Sequence, residues 1–388
     1  MGEKIEERDM EFPSISYSEE QIELGEVAGA FCRDKSPIDK VRSLIDSSDG
    51  YDQEIYAEMA QMGWMGVGIS EQFGGIGLGL GELAAMVEQM GRHLMAGPFV
   101  TSHIAAQMIL AGNDDAQKSL LLPRIIGGEV ASLALIEQEG DWNLDQIKCT
   151  ATINGEMLQL SGTKNFVMWA QAADFILVNM MMDNAPVIIW VNRHDLDNAA
   201  MRREIIIDET KRSASINFDG VTIPKSQILK CNDVPAILAR IELVTNLLQS
   251  AEMAGGTHRV IDYTLEYLRT RKQFGKIIGE YQALKHPMVN EYAAFENARS
   301  LMLSAAANFG QMGNMDQQRQ GEIAVRMAKA ATEKSYSSVS DRAIQFHGGF
   351  GFTHDCDAGL HRRAAIFHAS QFGDAIWQRQ KLRDLLFG

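Results

Sequence analysis

Cysteine is scarce in this chain: four in 388 residues, at Cys32, Cys149, Cys231 and Cys356, with no C-x-x-C pair. That spacing offers neither a disulfide framework nor a cysteine-built metal site, and a reducing cytosol fits it best. Basic residues are also in short supply, 36 Lys and Arg against 51 Asp and Glu, for a formal charge of −15. A nucleic-acid surface needs a clustered basic face, so no such partner is expected. One anionic ligand is still allowed, because a few well-placed arginines suffice. Long apolar runs are missing, so no membrane span is expected. The charged start MGEKIEERDMEF lacks the apolar centre of a signal peptide. The expectation is a soluble, cytoplasmic protein. What is present is ordinary globular composition, 46% hydrophobic and 22% charged, with length for two or three structural domains.

The pattern changes twice along the chain. Residues 1–130 read as an N-terminal α-helical domain, broken by glycine. Ser18 with Gln21 three residues on forms a capping box for a helix through Phe31. A glycine-dense loop, Gly66–Gly81, follows, then the amphipathic run Leu83–Met90. Residues 131–230 alternate apolar and polar positions and read as a middle antiparallel β-domain. Asn154-Gly155 and Asp219-Gly220 are its hairpin signals, and Phe175–Asn179, Val187–Val191 and Ile205–Ile207 its strand candidates. Residues 231–388 return to helical periodicity, with long helices expected over 237–270, 282–310, 319–346 and 360–386. Short connections between them predict a C-terminal four-helix bundle. No strand–helix alternation exists to build a parallel dinucleotide-binding sheet.

Several motifs have bland alternatives. Gly79-x-Gly81-x-x-Ala84 has the spacing of a nicotinamide fingerprint but lacks the preceding strand, so it reads as a surface loop. His347, His354, His361 and His368 recur every seven residues. Metal ligands on a helix prefer one-turn spacing, so these read as structural or surface histidines and no metal is expected. Arg271-Lys272-Gln273-Phe274-Gly275 is either a diphosphate grip or an ordinary helix end with a glycine stop. Gln345-Phe346-His347-Gly348-Gly349-Phe350-Gly351-Phe352 is either a backbone cradle for anionic oxygens or a tight turn.

Taken in order, these segments resemble a known family. LRTRKQFGKIIGEYQALKH, followed by AIQFHGGFGFTHD, is similar to the paired signature of acyl-CoA dehydrogenases. GWMGVGISEQFGGIGLG resembles that family's glycine loop, and LSGTKNFV with AADFILV resembles its β-domain. The resemblance implies an acyl-CoA-dehydrogenase-like fold, FAD, an acyl-CoA substrate, electron-transfer flavoprotein as electron acceptor, and a homo- or hetero-tetramer. Arg271, Phe274, Ile278 and Gln282 match positions that contact the diphosphate and adenine end of a flavin held by a neighbouring subunit. Gln345, Gly348 and Gly349 match the other side of that diphosphate. Leu135, Ile136 and Phe166 match the wall against the flavin ring system. Met168 stands where many members have a Thr that bonds flavin N5.

The catalytic carboxylate does not match. Many members carry a Glu before a Gly near the C-terminus, where this chain has Phe372 in Gln371-Phe372-Gly373-Asp374. The second known location falls on Thr245, and the neighbouring Arg of many members on Asn246. Glu242, about one turn before Thr245, is the first candidate base; Asp374 and Glu252 follow. The leading expectation is FAD-dependent α,β-dehydrogenation of an acyl-CoA thioester, or a subunit of such an enzyme. Some bacterial members that act on steroid side-chain thioesters are heterotetramers in which one chain type carries the base. The alternatives are a non-catalytic flavin-binding or structural partner subunit, and a flavoenzyme of this fold with other oxidative chemistry, such as nitroalkane or N-hydroxylating oxidation.

Overall fold

In the computed structural model, which describes residues 16–137, 142–309 and 315–387, Ser18 opens the first helix through the expected capping box. The charged residues 1–12 and the expected helix end at residue 310 lie outside the described residues. Among the described residues the N-terminal part holds six α-helices: α1 (Glu19–Lys35), α2 (Ile38–Ile45), α3 (Gln53–Gln61), α4 (Leu80–Arg92), α5 (Phe99–Leu110) and α6 (Asp115–Ile126). The run Leu83–Met90 lies in α4, which is buried on nearly every face rather than on one stripe.

Ten strands follow among the described residues: β1 (Ala131–Ala134), β2 (Thr150–Asn154), β3 (Met157–Ser161), β4 (Thr163–Met168), β5 (Phe175–Met182), β6 (Ala185–Asn192), β7 (Met201–Glu204), β8 (Ser213–Asn217), β9 (Thr222–Pro224) and β10 (Ile228–Leu229). One sheet runs β10-β6-β5-β2-β3-β9, with β1 added parallel to β5; the other runs β4-β8-β7. Apart from the parallel contacts of β1 and β2 with β5, the pairings among these strands are antiparallel.

One turn reading and one strand reading need correction. Asn154-Gly155 does make the β2–β3 hairpin, with Gly155 at φ +63. Asp219-Gly220 is a turn but not a hairpin: it carries the chain from β8 in one sheet to β9 in the other. Asp219 is held there by accepting bonds from Ser161 Oγ and the Gly162 N–H. The β5–β6 hairpin instead turns on Asp183 and Asn184, both in the left-handed region that Asp and Asn tolerate without glycine. Ile205–Ile207 is not a strand; β7 ends at Glu204 and Ile205 is fully exposed.

The C-terminal part contains α7 (Val234–Thr270), a small hairpin of β11 (Lys272–Gln273) and β12 (Lys276–Ile277), then α8 (Gln282–Phe309) and α9 (Met315–His347). The expected last helix, 360–386, is two: α10 (Asp357–Ser370) and α11 (Ala375–Phe387). α9 packs on α7, α8, α10 and α11, and α7 also packs on α4. Gly255 makes the last contact possible, since a Cβ there would sit 1.7 Å from the Glu88 carbonyl oxygen. The string around Glu252 is therefore a packing feature, as its small residues suggest.

Candidate active site and flavin-facing surface

The break between α10 and α11 falls on the very residues that replace the expected catalytic string. Phe372 takes φ +52 and Gly373 φ +86, so the helix stops and the Phe372 ring turns toward the interior. A side chain on Gly373 would meet Trp377 Cδ1 at 2.1 Å, so the bend requires glycine. The freed Phe372 carbonyl accepts from Gln378 Nε2 at 2.8 Å. Its ring packs on Trp142, centroids 4.7 Å apart, and Trp142 lies 6.2 Å from Phe166.

Behind these rings lies a cavity of ≈ 100 Å³, shaped by α3, α5, β1, β4, α7 and the end of α10. Its α7 side is Thr245, Gln249 and Glu252. Steps of four and seven residues keep these on one helical face. Glu242, three residues before Thr245, is about 60° round at 3.6 residues per turn. It is not on the cavity wall; Arg326 Nη1 holds its Oε1 at 2.9 Å, on the side facing α9. Asp374 is exposed and caps α11, accepting from the Trp377 N–H at 2.8 Å. Of the three candidate bases, Glu242 and Asp374 do not reach the cavity, whereas Glu252 lines it.

The carboxylates that do line it are Asp52 and Glu252, and both are paired. Lys40 binds Asp52 at 2.6 Å and holds its carboxyl below the usual range. Glu252 Oε1 sits 2.5 Å from Lys211 Nζ and 3.6 Å from His368 Nε2. Burial alone would push the Glu252 carboxyl up; Lys211, and then His368, outweigh it and hold the group well below the carboxylate range. Beneath this trio, Lys329 is fully buried and donates to Gln249 Oε1 at 2.9 Å and to the His368 carbonyl at 2.6 Å. Burial pulls the Lys329 ammonium down to about 7, against the nearby carboxylates of Glu333, Glu252 and Asp374. His368 Nδ1 is buried with no partner. Lys211, His368, Lys329 and Trp142 were not singled out as site residues from sequence. One signal was there to use: Glu252 lies seven residues from Thr245, and His368 one turn before Phe372.

Leu135, Ile136, Phe166 and Met168 line the same cavity. The remaining matched residues lie elsewhere, at one end of the bundle. Tyr267 stacks on His347 at 4.3 Å, which ties the end of α7 to the end of α9. Arg271, Phe274 and Gln282 are exposed beside one of these ends, and Gln345, Gly348 and Gly349 beside the other. The Arg271 guanidinium has no carboxylate partner among the described residues, and Phe274 is 91% exposed. A Cβ on Gly348 or Gly349 would meet nothing within 4 Å, so backbone there is open to a ligand. Ile278 is turned into the core instead. This open surface of Arg, aromatic and bare backbone suits a flavin dinucleotide's diphosphate. The ring end suits it less: Trp142 stands between Phe166 and Phe372, and ≈ 100 Å³ is below the ~300–1,000 Å³ of ordinary ligand pockets.

Three of the four histidines behave as structural or surface groups, whereas His368 lines the cavity. His354 is exposed, His347 stacks on Tyr263 and Tyr267, and His361 bonds Tyr336. No metal-holding cluster and no helix long and apolar enough to cross a membrane occur among the described residues.

Comparison with known proteins identifies the fold and the family. Residues 18–129 match the acyl-CoA dehydrogenase N-terminal domain, and residues 244–377 the acyl-CoA dehydrogenase C-terminal domain. A 3-(aryl)acrylate reductase from Clostridium sporogenes is 25% identical over 329 residues, 82% of this chain and 86% of that one. Acyl-CoA dehydrogenase IpdE2 from Mycolicibacterium smegmatis is 24% identical over 371 residues, 95% of this chain and 100% of that one. Among solved structures, a variant of the Tcur3481-Tcur3483 steroid ACAD superposes with a TM-score of 0.83 at 27% identity, covering 95% of this chain and 98% of that one.

Proposed function

Because this chain belongs to the acyl-CoA dehydrogenase family, an FAD-dependent group of oxidoreductases, we propose that it is the flavin-completing subunit of a heteromeric acyl-CoA dehydrogenase whose second chain supplies the base. The observation that carries this reading is the Trp142–Phe372 ring contact at the position where the resemblance expects a carboxylate. α-Proton removal needs an unpaired acceptor of suitable pKa in a dry slot. Here Glu252 and Asp52 are neutralised by lysines, and Glu242 is bound to Arg326. A carboxylate held well below its usual range is a weak base, so this cavity has none of the required strength among its carboxylates.

The other end of the chain keeps its equipment. FAD, when bound, supplies the acceptor for the hydride leaving the acyl Cβ. Arg271 would grip its diphosphate with two parallel donors, and the backbone at Gly348 and Gly349 would close on the same oxygens. Phe274 would cover the adenine end. Apolar side chains left exposed on α8 and α11, among them Val289, Tyr292, Ile376 and Phe387, give a second chain surface to bury. An acyl-CoA thioester is the proposed substrate of the assembly, and electron-transfer flavoprotein its electron acceptor.

The test is flavin retention by the complex purified with its partner. Arg271→Ala removes a charge-assisted contact worth ~1.5–3 kcal/mol, so FAD should bind about 10- to 150-fold more weakly. Unchanged FAD affinity would contradict the assignment.

A further inference from the structure

The bare backbone at Gly348 and Gly349 has little around it to hold its shape. Gly348 takes φ +62, and a Cβ on either residue would meet nothing within 4 Å. Glycine loses more conformational freedom on ordering than any other residue, so a Gly-Gly turn keeps its amides aimed only if its flanks are fixed. The flank before it is fixed by stacking. His347 lies between Tyr263 and Tyr267, with ring centroids 4.8 and 4.3 Å away, and its carbonyl accepts from Tyr267 OH at 3.4 Å. Gly351 packs back on α9, where a Cβ would come within 2.2 Å of the Ile344 carbonyl oxygen.

The flank after it, residues 353–357, is held from the N-terminal part of the molecule. Arg42 on α2 donates from Nη1 to the His354 carbonyl and from Nη2 to Asp357 Oδ1, the latter at 2.8 Å. The Asp357 N–H donates to Tyr263 OH at 3.4 Å, which joins this grip to the His347 stack. We infer that Arg42 is a positioning residue for the flavin diphosphate: it fixes the far end of the Gly348–Phe352 turn and so keeps the Gly348 and Gly349 backbone in place for the diphosphate oxygens. The inference rests on the flavin-completing reading above. Arg42 acts through the turn rather than on the ligand, because Asp357 already matches its charge and the His354 carbonyl occupies its other terminal nitrogen. The helix that carries it is anchored in turn. Val41 is buried in the same apolar cluster as Cys356 and Ala358. Arg212, 5% exposed, donates from Nη2 to the carbonyls of Leu44, Ile45 and Ser47, each at 2.9 Å, and so satisfies the C-terminal end of α2. A side chain that must hold another element in register works best from a fixed support of this kind.

The complex purified with its partner is stripped of flavin, and FAD is titrated back by fluorescence quenching. ADP serves as a competitor that carries the diphosphate without the flavin ring, and amide hydrogen exchange on the flavin-free complex follows the turn directly. In Arg42→Met, FAD and ADP should both bind roughly 3- to 10-fold more weakly, the effect of an ordering cost moved onto binding. Amides of residues 348–354 should exchange faster, while those of α8 keep their wild-type protection. Arg42→Lys, which keeps the charge but not the planar fork, should recover part of both effects. Asp357→Asn should move both in the same direction by less, and these two milder variants carry the test if Arg42→Met does not assemble. Faster exchange throughout the bundle would show that Arg42 holds the fold at large, and overturns the inference. Wild-type affinity for FAD and ADP in Arg42→Met overturns it as well. Arg271→Ala in the same titration separates the two readings. If that variant weakens FAD and Arg42→Met does not, only the positioning role falls; unchanged affinity in both removes the flavin-binding reading beneath it.

Discussion

The ring of Trp142 packs at 4.7 Å, tilted by 39°, against that of Phe372, the residue that stands where a catalytic carboxylate is expected. Aromatic pairs of this kind contribute ~0.5–1.5 kcal/mol beyond the area they bury. A double-mutant cycle with Trp142→Ala and Phe372→Ala, followed by urea unfolding, should return a coupling of that size. A coupling near zero would mean that the rings are neighbours without being partners.

Gly373→Ala should destabilise the protein by more than ~1 kcal/mol, because a Cβ is strained at φ +86 and collides with Trp377. The denaturation midpoint measures it, and a neutral substitution would show that the bend between α10 and α11 does not need glycine.

Glu252 ties Lys211 to His368, and removing one partner from a largely buried pair typically costs ~3–5 kcal/mol. Glu252→Gln should therefore lower the urea midpoint at pH 7. The wild-type carboxyl is held below its unfolded value, so its contribution is complete above the unfolded pKa of ~4.3 and is lost as pH falls toward the depressed folded value. The gap between wild type and variant should shrink from about pH 5 downward. A constant gap across that range would contradict the pairing.

Lys329 also has its folded pKa depressed, and its window lies at higher pH. Its folded pKa is about 7 and its unfolded value ~10.4, so between these the unfolded chain binds more protons and stability rises with pH. Lys329→Met should flatten that rise between pH 7 and 10, as followed by thermal melts. An unchanged pH slope would show that Lys329 stays charged in the fold.

Much of this architecture was legible because helix and strand periodicities are strong where an element packs on one face. Ser18 and Gln21 marked a helix start, and Asn154-Gly155 a hairpin, through local chemistry alone. Asp219-Gly220 misled because turn residues fix a change of direction, not which strand is met afterwards. The last helix was read through Phe372 and Gly373 because one glycine in a periodic run does not reveal a positive φ. Glu242 was the first candidate base because three residues look like one turn. The remaining 60° is enough to give it to Arg326 and leave the cavity to Thr245, Gln249 and Glu252. The floor of Lys211, Glu252 and His368 joins three distant segments, and no local pattern announces such a meeting.

If this chain completes a flavin site without carrying the base, its flavin stays oxidised with substrate until the second subunit is present. Anaerobic titration with acyl-CoA thioesters, first of the purified chain saturated with FAD and then of its complex with the second subunit, tests it most directly. The flavin should not bleach in the chain alone and should bleach rapidly in the complex. Bleaching of the chain alone, at a rate matching the complex, would contradict it.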